Sequence, residues 1–201
     1  MPASILVAVL AHLPRLRALR LKGAPSGAIL DVLALLPRLV ALDTDYFGGA
    51  RAFGRGGLLG AGADDADAPA AALHELTVRT SSVDVQGLPQ LWPWIRRLTP
   101  RAGLAALTLN AFSTQGEALI PRGFILDMAT VHRDTLRHFT ADWTQMTCAD
   151  IECLCTVFPA LETLSCLTMW SPDGVGGFRR FRFGPRAALT RPRRRRTRRR
   201  S

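Results

Sequence analysis

Cysteine and histidine are the residues of this chain best able to do covalent or metal chemistry, and they cluster. Cys148, Cys153, Cys155 and Cys166 follow His132 and His138 within one short region. Such a set is large enough for tetrahedral zinc, and a thiol beside an imidazole is enough for nucleophilic catalysis. Their spacing argues against both. No C-x-x-C or other ligand-pair spacing occurs, and nothing in the sequence orients a histidine against a thiol. Cys155 shares an apolar stripe with Ile151, Leu154 and Phe158, and Cys166 sits at an apolar strand position. Both are expected to be small buried hydrophobes. The glycines between Gly48 and Gly62 invite a phosphate-loop reading. G-x-x-x-x-G-K-[ST] fails for want of a lysine, and G-x-G-x-x-G fails because Leu59 stands third after Gly54 and Gly56. Residues 48–72 therefore read as a flexible Gly/Ala/Asp-rich insertion. No carboxylate pair or nucleophile motif stands out, so the expectation is a non-enzyme with no cofactor, metal or small-molecule substrate.

Basic residues are the other chemical resource. The formal net charge is +10. Arg179 to Ser201 hold 12 arginines and no acid, which leaves the first 178 residues at a net −2. A uniformly basic domain laid against phosphates is thereby excluded. Arg191, Arg193, Arg194, Arg195, Arg196, Arg198, Arg199 and Arg200 form a run that reads as a nuclear or nucleic-acid signal. Phe178-Arg-Arg-Phe-Arg-Phe183 just before it alternates aromatic and basic side chains. That pattern suits stacking on bases, or a final edge strand covering the end of a sheet. Incidental charge in an arginine-biased reading frame is an equal alternative for the run itself, since Lys22 is the only lysine among 26 basic residues. Residues 171–201 are expected to be a disordered tail.

The compartment follows from what is missing. No apolar run reaches the length of about 18 residues that a membrane span requires. No basic residue precedes the apolar start Ile5–Ala11, so a secretion signal is not expected. Few, clustered cysteines fit a reducing setting, intracellular and either cytoplasmic or nuclear.

The elements that would position any site emerge from an internal repeat. Six copies of apolar-x-x-apolar-x-(apolar or small) begin at Leu16, Leu39, Leu73, Leu104, Leu136 and Leu161, in steps of 23, 34, 31, 32 and 25 residues. The last two apolar positions of each copy lie two apart, which puts both side chains on one face of a strand. Helical spacing precedes most copies: Ile5, Leu6, Val9, Leu10 and Leu13; Ile29, Val32, Leu33 and Leu36; Phe124, Ile125, Met128 and Ala129; Ile151, Leu154, Cys155 and Phe158. Leu88–Ile95 reads as a further linking helix despite Pro93. Pro14, Pro37 and Pro159 close helical stretches, because the residue before proline is pushed out of the helical region. Each unit thus reads as helix, proline-marked turn, short strand. A single unit cannot bury its own apolar face, so the units must stack. The predicted fold class is α/β, a solenoid of irregular helix–strand units over residues 3–170 with a parallel sheet on its concave face.

Stacking creates the candidate site. The positions alternating with the buried ladder form one row of Arg20, Asp43, Thr77, Thr108, Thr140 and Ser165. A second row holds Lys22, Asp45, Arg79, Asn110, Asp142 and Leu167. Strands about 4.8 Å apart bring neighbours in each row into contact. Arg20–Asp43 and Lys22–Asp45 are expected as cross-strand pairs worth under about 1 kcal/mol each. A mixed polar sheet face of this kind is a partner-binding surface in many solenoids.

The Leu-Pro-x-Leu-x-x-Leu-x-Leu phrasing of Leu13–Leu21, its echo at Leu36–Thr44 and the looser later copies resemble leucine-rich repeats of the ribonuclease-inhibitor-like type. With their irregular lengths they are similar to the substrate-recognition region of fungal F-box proteins. That resemblance covers about residues 3–170. It implies a protein partner, bound through the sheet face and delivered for ubiquitination by an adaptor of a ubiquitin ligase. It departs from the pattern in two places. The F-box is missing, so this chain alone is not expected to engage the ligase; it reads as a fragment that begins inside a repeat. The Asn or Cys expected three residues past each ladder falls on Ala24, Phe47, Ser81, Phe112, Thr144 and Met169, so the turns must be satisfied by backbone or water. The alternative function is a nuclear or nucleic-acid-associated protein that binds through its arginine-rich tail. On either reading no membrane partner is expected.

Overall fold

A computed structural model describes residues 3–47, 73–80, 88–110, 120–170 and 177–183. Five helices and seven strands are present among them: α1 (Ala3–Leu10), β1 (Ala18–Leu21), α2 (Ser26–Leu35), β2 (Ala41–Asp45), β3 (Glu75–Arg79), α3 (Leu88–Leu98), β4 (Ala106–Asn110), α4 (Arg122–His132), β5 (His138–Met146), α5 (Cys148–Val157), β6 (Thr163–Trp170) and β7 (Gly177–Phe183). The protein is α/β. The strands form one sheet in chain order, with β1 to β6 parallel and β7 antiparallel against β6.

The apolar repeat is the buried face of this sheet. Leu42 and Thr44, Leu76 and Val78, Leu107 and Leu109, Phe139 and Ala141, and Leu164 and Cys166 are all buried at 2% exposure or less. In three copies the first apolar position closes a proline-marked turn. Leu16, Leu39 and Leu161 donate their amides to the carbonyls of Leu13, Leu36 and Phe158, one residue before each proline. Proline is suited to the second place of such a turn because its φ is already set. The next carbonyl then takes both leading amides of the following strand: Arg17 from Val40 and Ala41, Val40 from His74 and Glu75, His74 from Ala105 and Ala106, Ala105 from Arg137 and His138, and Arg137 from Glu162 and Thr163. One bond geometry recurs at five successive junctions.

The helices cover that buried face. In α2, Ile29, Val32 and Leu33 are buried, and Leu36 beyond its end is fully so; in α3 the stripe is Leu91, Trp94, Ile95 and Leu98. Pro93 lies inside α3, so Leu88–Ile95 is a helix as the sequence predicts. Phe124, Ile125 and Met128 anchor α4. A capping box starts α5: Thr147 Oγ1 accepts the Asp150 amide at 3.2 Å, and the Thr147 amide donates to the Asp150 carboxylate at 3.1 Å. This satisfies two amides that the first turn of a helix leaves without partners.

Several expectations are corrected. In α1 only Leu6 and Leu10 are buried, whereas Ile5, Val9 and Leu13 are 50%, 53% and 46% exposed. The physical reason is position, since α2 is the helix on which α1 chiefly packs among the described residues. In α5 the buried cysteine is Cys153 and not Cys155, which is exposed. The domain boundary at residue 170 falls short, because part of the stretch assigned to a disordered tail is β7. Its antiparallel pairing supplies backbone partners to the edge of β6 that a purely parallel stack leaves open. Residues 48–72 and the arginine run from Arg191 to Arg200 lie outside the described residues. Among the described residues no helix is long and apolar enough to cross a membrane.

Candidate functional site

The first polar row is assembled as the spacing requires. Arg20 faces Asp43, Asp43 faces Thr77, Thr77 faces Thr108, Thr108 faces Thr140 and Thr140 faces Ser165, each pair in direct register. Arg20 is exposed between partly buried neighbours, and the other five are partly exposed with buried sequence neighbours on the opposite face. In β7, Arg182 stands opposite Ser165 and Arg180 opposite Leu167. The backbone row therefore continues into a strand whose register positions carry arginine.

The second row is assembled only in its middle. Asp45, Arg79 and Asn110 are in register. Lys22 lies one residue beyond β1. Asp142 does not face Leu167: the register shifts between Ala141 and Gln145, so Leu167 pairs with Gln145. A bulge adds residues to one strand against its partner, and a spacing count across the two strands cannot see it.

Electrostatics are set at the β1–β3 end. Asp43 and Asp45 are two apart on one strand and so share a face. Arg79 on the next strand bridges them, with Nε donating to Asp45 Oδ1 at 2.8 Å and Nη1 donating to Asp43 Oδ1. Arg20 reaches the other Asp43 oxygen at 3.0 Å, as expected. The expected Lys22–Asp45 pair is not formed among the described ion pairs. The Asp45 carboxylate is taken by Arg79 and by the Gly23 amide, which donates to Oδ2 at 2.8 Å. Gly23 has a φ of 69°, a left-handed conformation in which glycine has no Cβ penalty. Ser26, fully buried, supplies the next turn partner by accepting the Phe47 amide on Oγ at 3.2 Å. Side chains from Asp45 and Ser26 thus serve turns that the sequence left to backbone or water. The outcome is a fixed array of paired charges and hydroxyls, suited to recognition by shape and hydrogen bonding. Both carboxylates are paired with arginine.

The cysteine and histidine cluster is dispersed. Cys148 and Cys155 are exposed, Cys153 and Cys166 are buried, and all four are free thiols. Burial pushes the Cys166 thiol up to about 11, with Cys155 adding to it, and burial raises the Cys155 thiol as well. A raised pKa keeps a thiol protonated near neutrality, the opposite of an activated nucleophile. His138 is exposed and meets Thr163 Oγ1 at 2.9 Å, whereas His132 is buried at the end of α4. Among the described residues no group of three or more His, Cys, Asp or Glu is placed to hold a metal ion.

His132 belongs instead to a knot between α3 and α4 that spacing alone does not reveal. The Thr99 carbonyl accepts from His132 Nε2 at 3.2 Å and from Arg96 Nη1 at 2.7 Å, and Arg96 Nε donates to Asp127 at 2.9 Å. Beside it lies an open cleft of about 580 Å³ bounded by Trp92, Pro93, Arg96, Phe124 and Asp127. Trp92 and Phe124 meet in its wall, with ring centroids 4.7 Å apart and planes tilted by 42°. The tryptophan- and proline-rich wording of α3 is the only sequence signal for this feature.

His132 carries a testable pH dependence. Burial, opposed by the Thr99 hydrogen bond and aided by the Arg96 charge, holds its pKa below the ordinary value of 6.5. Its Nδ1 is buried without a hydrogen-bond partner. Below about pH 6.5 the unfolded chain binds a proton at this position that the native chain does not, so stability falls as the pH drops. Urea unfolding at about pH 7.5 and about pH 5.5 should show a smaller acid-side loss in His132→Gln than in the wild type. Parallel losses in the two proteins would exclude His132 as the source.

No protein-family model, curated protein or solved structure matches the chain.

Proposed function

We propose that the chain is a protein-recognition module, a leucine-rich-repeat-like solenoid that binds a partner protein through its exposed sheet face. One observation carries this reading: a six-strand row, Arg20-Asp43-Thr77-Thr108-Thr140-Ser165, in unbroken register on the face opposite the buried ladder. Parallel strands usually have both faces covered, and a half-exposed parallel face is a surface with room for a partner. The recurrent carbonyl-to-two-amides junction supports the stacked-unit description, as does the proline-marked turn at three of the units. The resemblance to the substrate-binding region of F-box adaptors extends the proposal to a partner that is delivered for ubiquitination.

Site-specific photo-crosslinking in cells tests the face directly. A benzoyl-phenylalanine at Thr108 should give a discrete crosslinked adduct, and the same probe at exposed Glu152 on α5 should not. Adducts at Glu152 with none at Thr108 would move the partner to the helical side and end this reading. Thr108 is at the surface, so its replacement should change stability by less than about 0.5 kcal/mol. Any truncation made to separate the basic tail from this surface should begin at residue 184, because Arg179, Arg180 and Arg182 belong to β7.

A further inference from the structure

The end of the sheet at β1 differs from every other part of the stack. Ladder positions in the inner strands are 2% exposed or less, but Leu19 and Leu21 of β1 are only partly buried. At the same end of the chain Ile5, Val9 and Leu13 are exposed, and Ile5 and Val9 line a shallow groove of about 320 Å³ with Ser4, Ala8 and His12. The strand edge is open too. Among the described residues β1 pairs with β2 alone, and the Arg17 carbonyl points to β2, where it accepts the Val40 and Ala41 amides. Backbone direction alternates along a strand, so the amides and carbonyls of Ala18 and Arg20 point away from the sheet.

Charge narrows the occupant. The first thirty residues contain Arg15, Arg17, Arg20 and Lys22 and no acid. All four are exposed, and Arg20 is engaged by Asp43. A second copy of this chain laid edge to edge would set these like charges against one another, which is destabilising across paired strands. An acidic strand meets no such cost.

We propose that this end is a docking site for an acidic, strand-forming segment of a partner protein. The segment adds to β1 through the outward N–H and C=O groups of Ala18 and Arg20. Its apolar side chains cover Ile5, Val9 and Leu13, and its carboxylates face Arg15, Arg17 and Lys22. This site is distinct from the sheet face and does not depend on it.

The probe is a short labelled peptide of alternating Glu and Val, titrated against the full chain by fluorescence anisotropy, with a Lys–Val peptide as its counterpart. Binding of the Glu–Val peptide alone is expected. Ala18→Pro removes an outward amide that the fold does not use and should weaken binding by about tenfold or more; Arg17→Glu with Lys22→Glu should do the same. Ala18→Pro leaves the arginine-rich tail intact, so unchanged affinity in that variant would assign the peptide to the tail and overturn the proposal. Failure of the wild type to bind the Glu–Val peptide would overturn it as well. A wild-type dimer that Ala18→Pro dissociates would give the edge to a second copy instead. Amide exchange in the wild type provides a reading independent of any variant. Ala18 and Arg20 should exchange fast alone and slowly with peptide, and fast exchange in both states refutes strand addition.

Discussion

Replacing Leu107 with alanine should destabilise the protein by roughly 2–5 kcal/mol. Leu107 is 1% exposed at the centre of β4, in register between Leu76 of β3 and Phe139 of β5, both themselves buried. Truncation removes the transfer free energy of three carbon atoms and leaves a cavity that two sheet neighbours and the helix layer line. Rigid strands about 4.8 Å apart cannot close around that cavity. The position matters as much as the residue. β4 lies between β3 and β5 in the middle of the seven-stranded sheet, so a void there weakens contacts on both sides. Urea unfolding should show the midpoint fall at unchanged slope. Leu126, 46% exposed on α4, is the internal control, and its alanine variant should stay within about 0.5 kcal/mol of the wild type. A loss at Leu107 as small as that at Leu126 would remove Leu107 from the packed ladder and with it the assignment of the repeat.

Trp94→Ala is expected to cost about 3–5 kcal/mol. Trp94 is 1% exposed on α3, its ring lies 5.1 Å from that of the fully buried Tyr46, and its indole N–H donates to the Ser26 carbonyl at 2.9 Å. Two units meet there, since Ser26 begins α2 and Tyr46 follows β2 of the same unit, and Trp94 lies on α3. Deleting the indole opens a large void, removes one hydrogen bond to the Ser26 carbonyl and takes away one wall of the Tyr46 site. Trp94→Phe separates these effects. It keeps much of the ring volume and loses the donor, and so should cost less than the alanine variant, about 1–3 kcal/mol. If the phenylalanine variant is as unstable as the alanine one, the hydrogen bond outweighs the packing and this account of the core is wrong.

These two sites mark how far the sequence can be read. Leu107 is legible, because its spacing from Leu104 and Leu109 repeats in five other copies and period two is a local property of the chain. The row from Arg20 to Ser165 is legible for the same reason, since equal offsets within each copy place equal positions side by side. The Trp94–Tyr46–Ser26 contact is not. It joins two units over 68 residues, and no local period encodes which aromatic residues meet. Arg79 is intermediate: its place in the second row follows from spacing, but its bridging of Asp43 and Asp45 depends on rotamers chosen across the strands. Cys155 was misplaced because a stripe leaves the rotation of α5 undetermined. Positions two apart on a helix differ by about 200°, so Cys153 and Cys155 lie on nearly opposite faces and only one of them can meet the core.

What the sequence determined by itself is the set of elements and their order: six ladder strands, the helices between them, proline at the turns, and which face of each strand is apolar. Backbone periodicity and turn chemistry are local, and they act the same way in every copy. The tertiary structure alone decided what happens where local rules are equal or silent. These matters are the phase of α5, the bulge that separates Asp142 from Leu167, the antiparallel turn of Phe178-Arg-Arg-Phe-Arg-Phe183 onto β6, and the uncovered flank of α1. Each depends on which surfaces are left without a neighbour once the units are stacked, and the packing of the whole stack settles that.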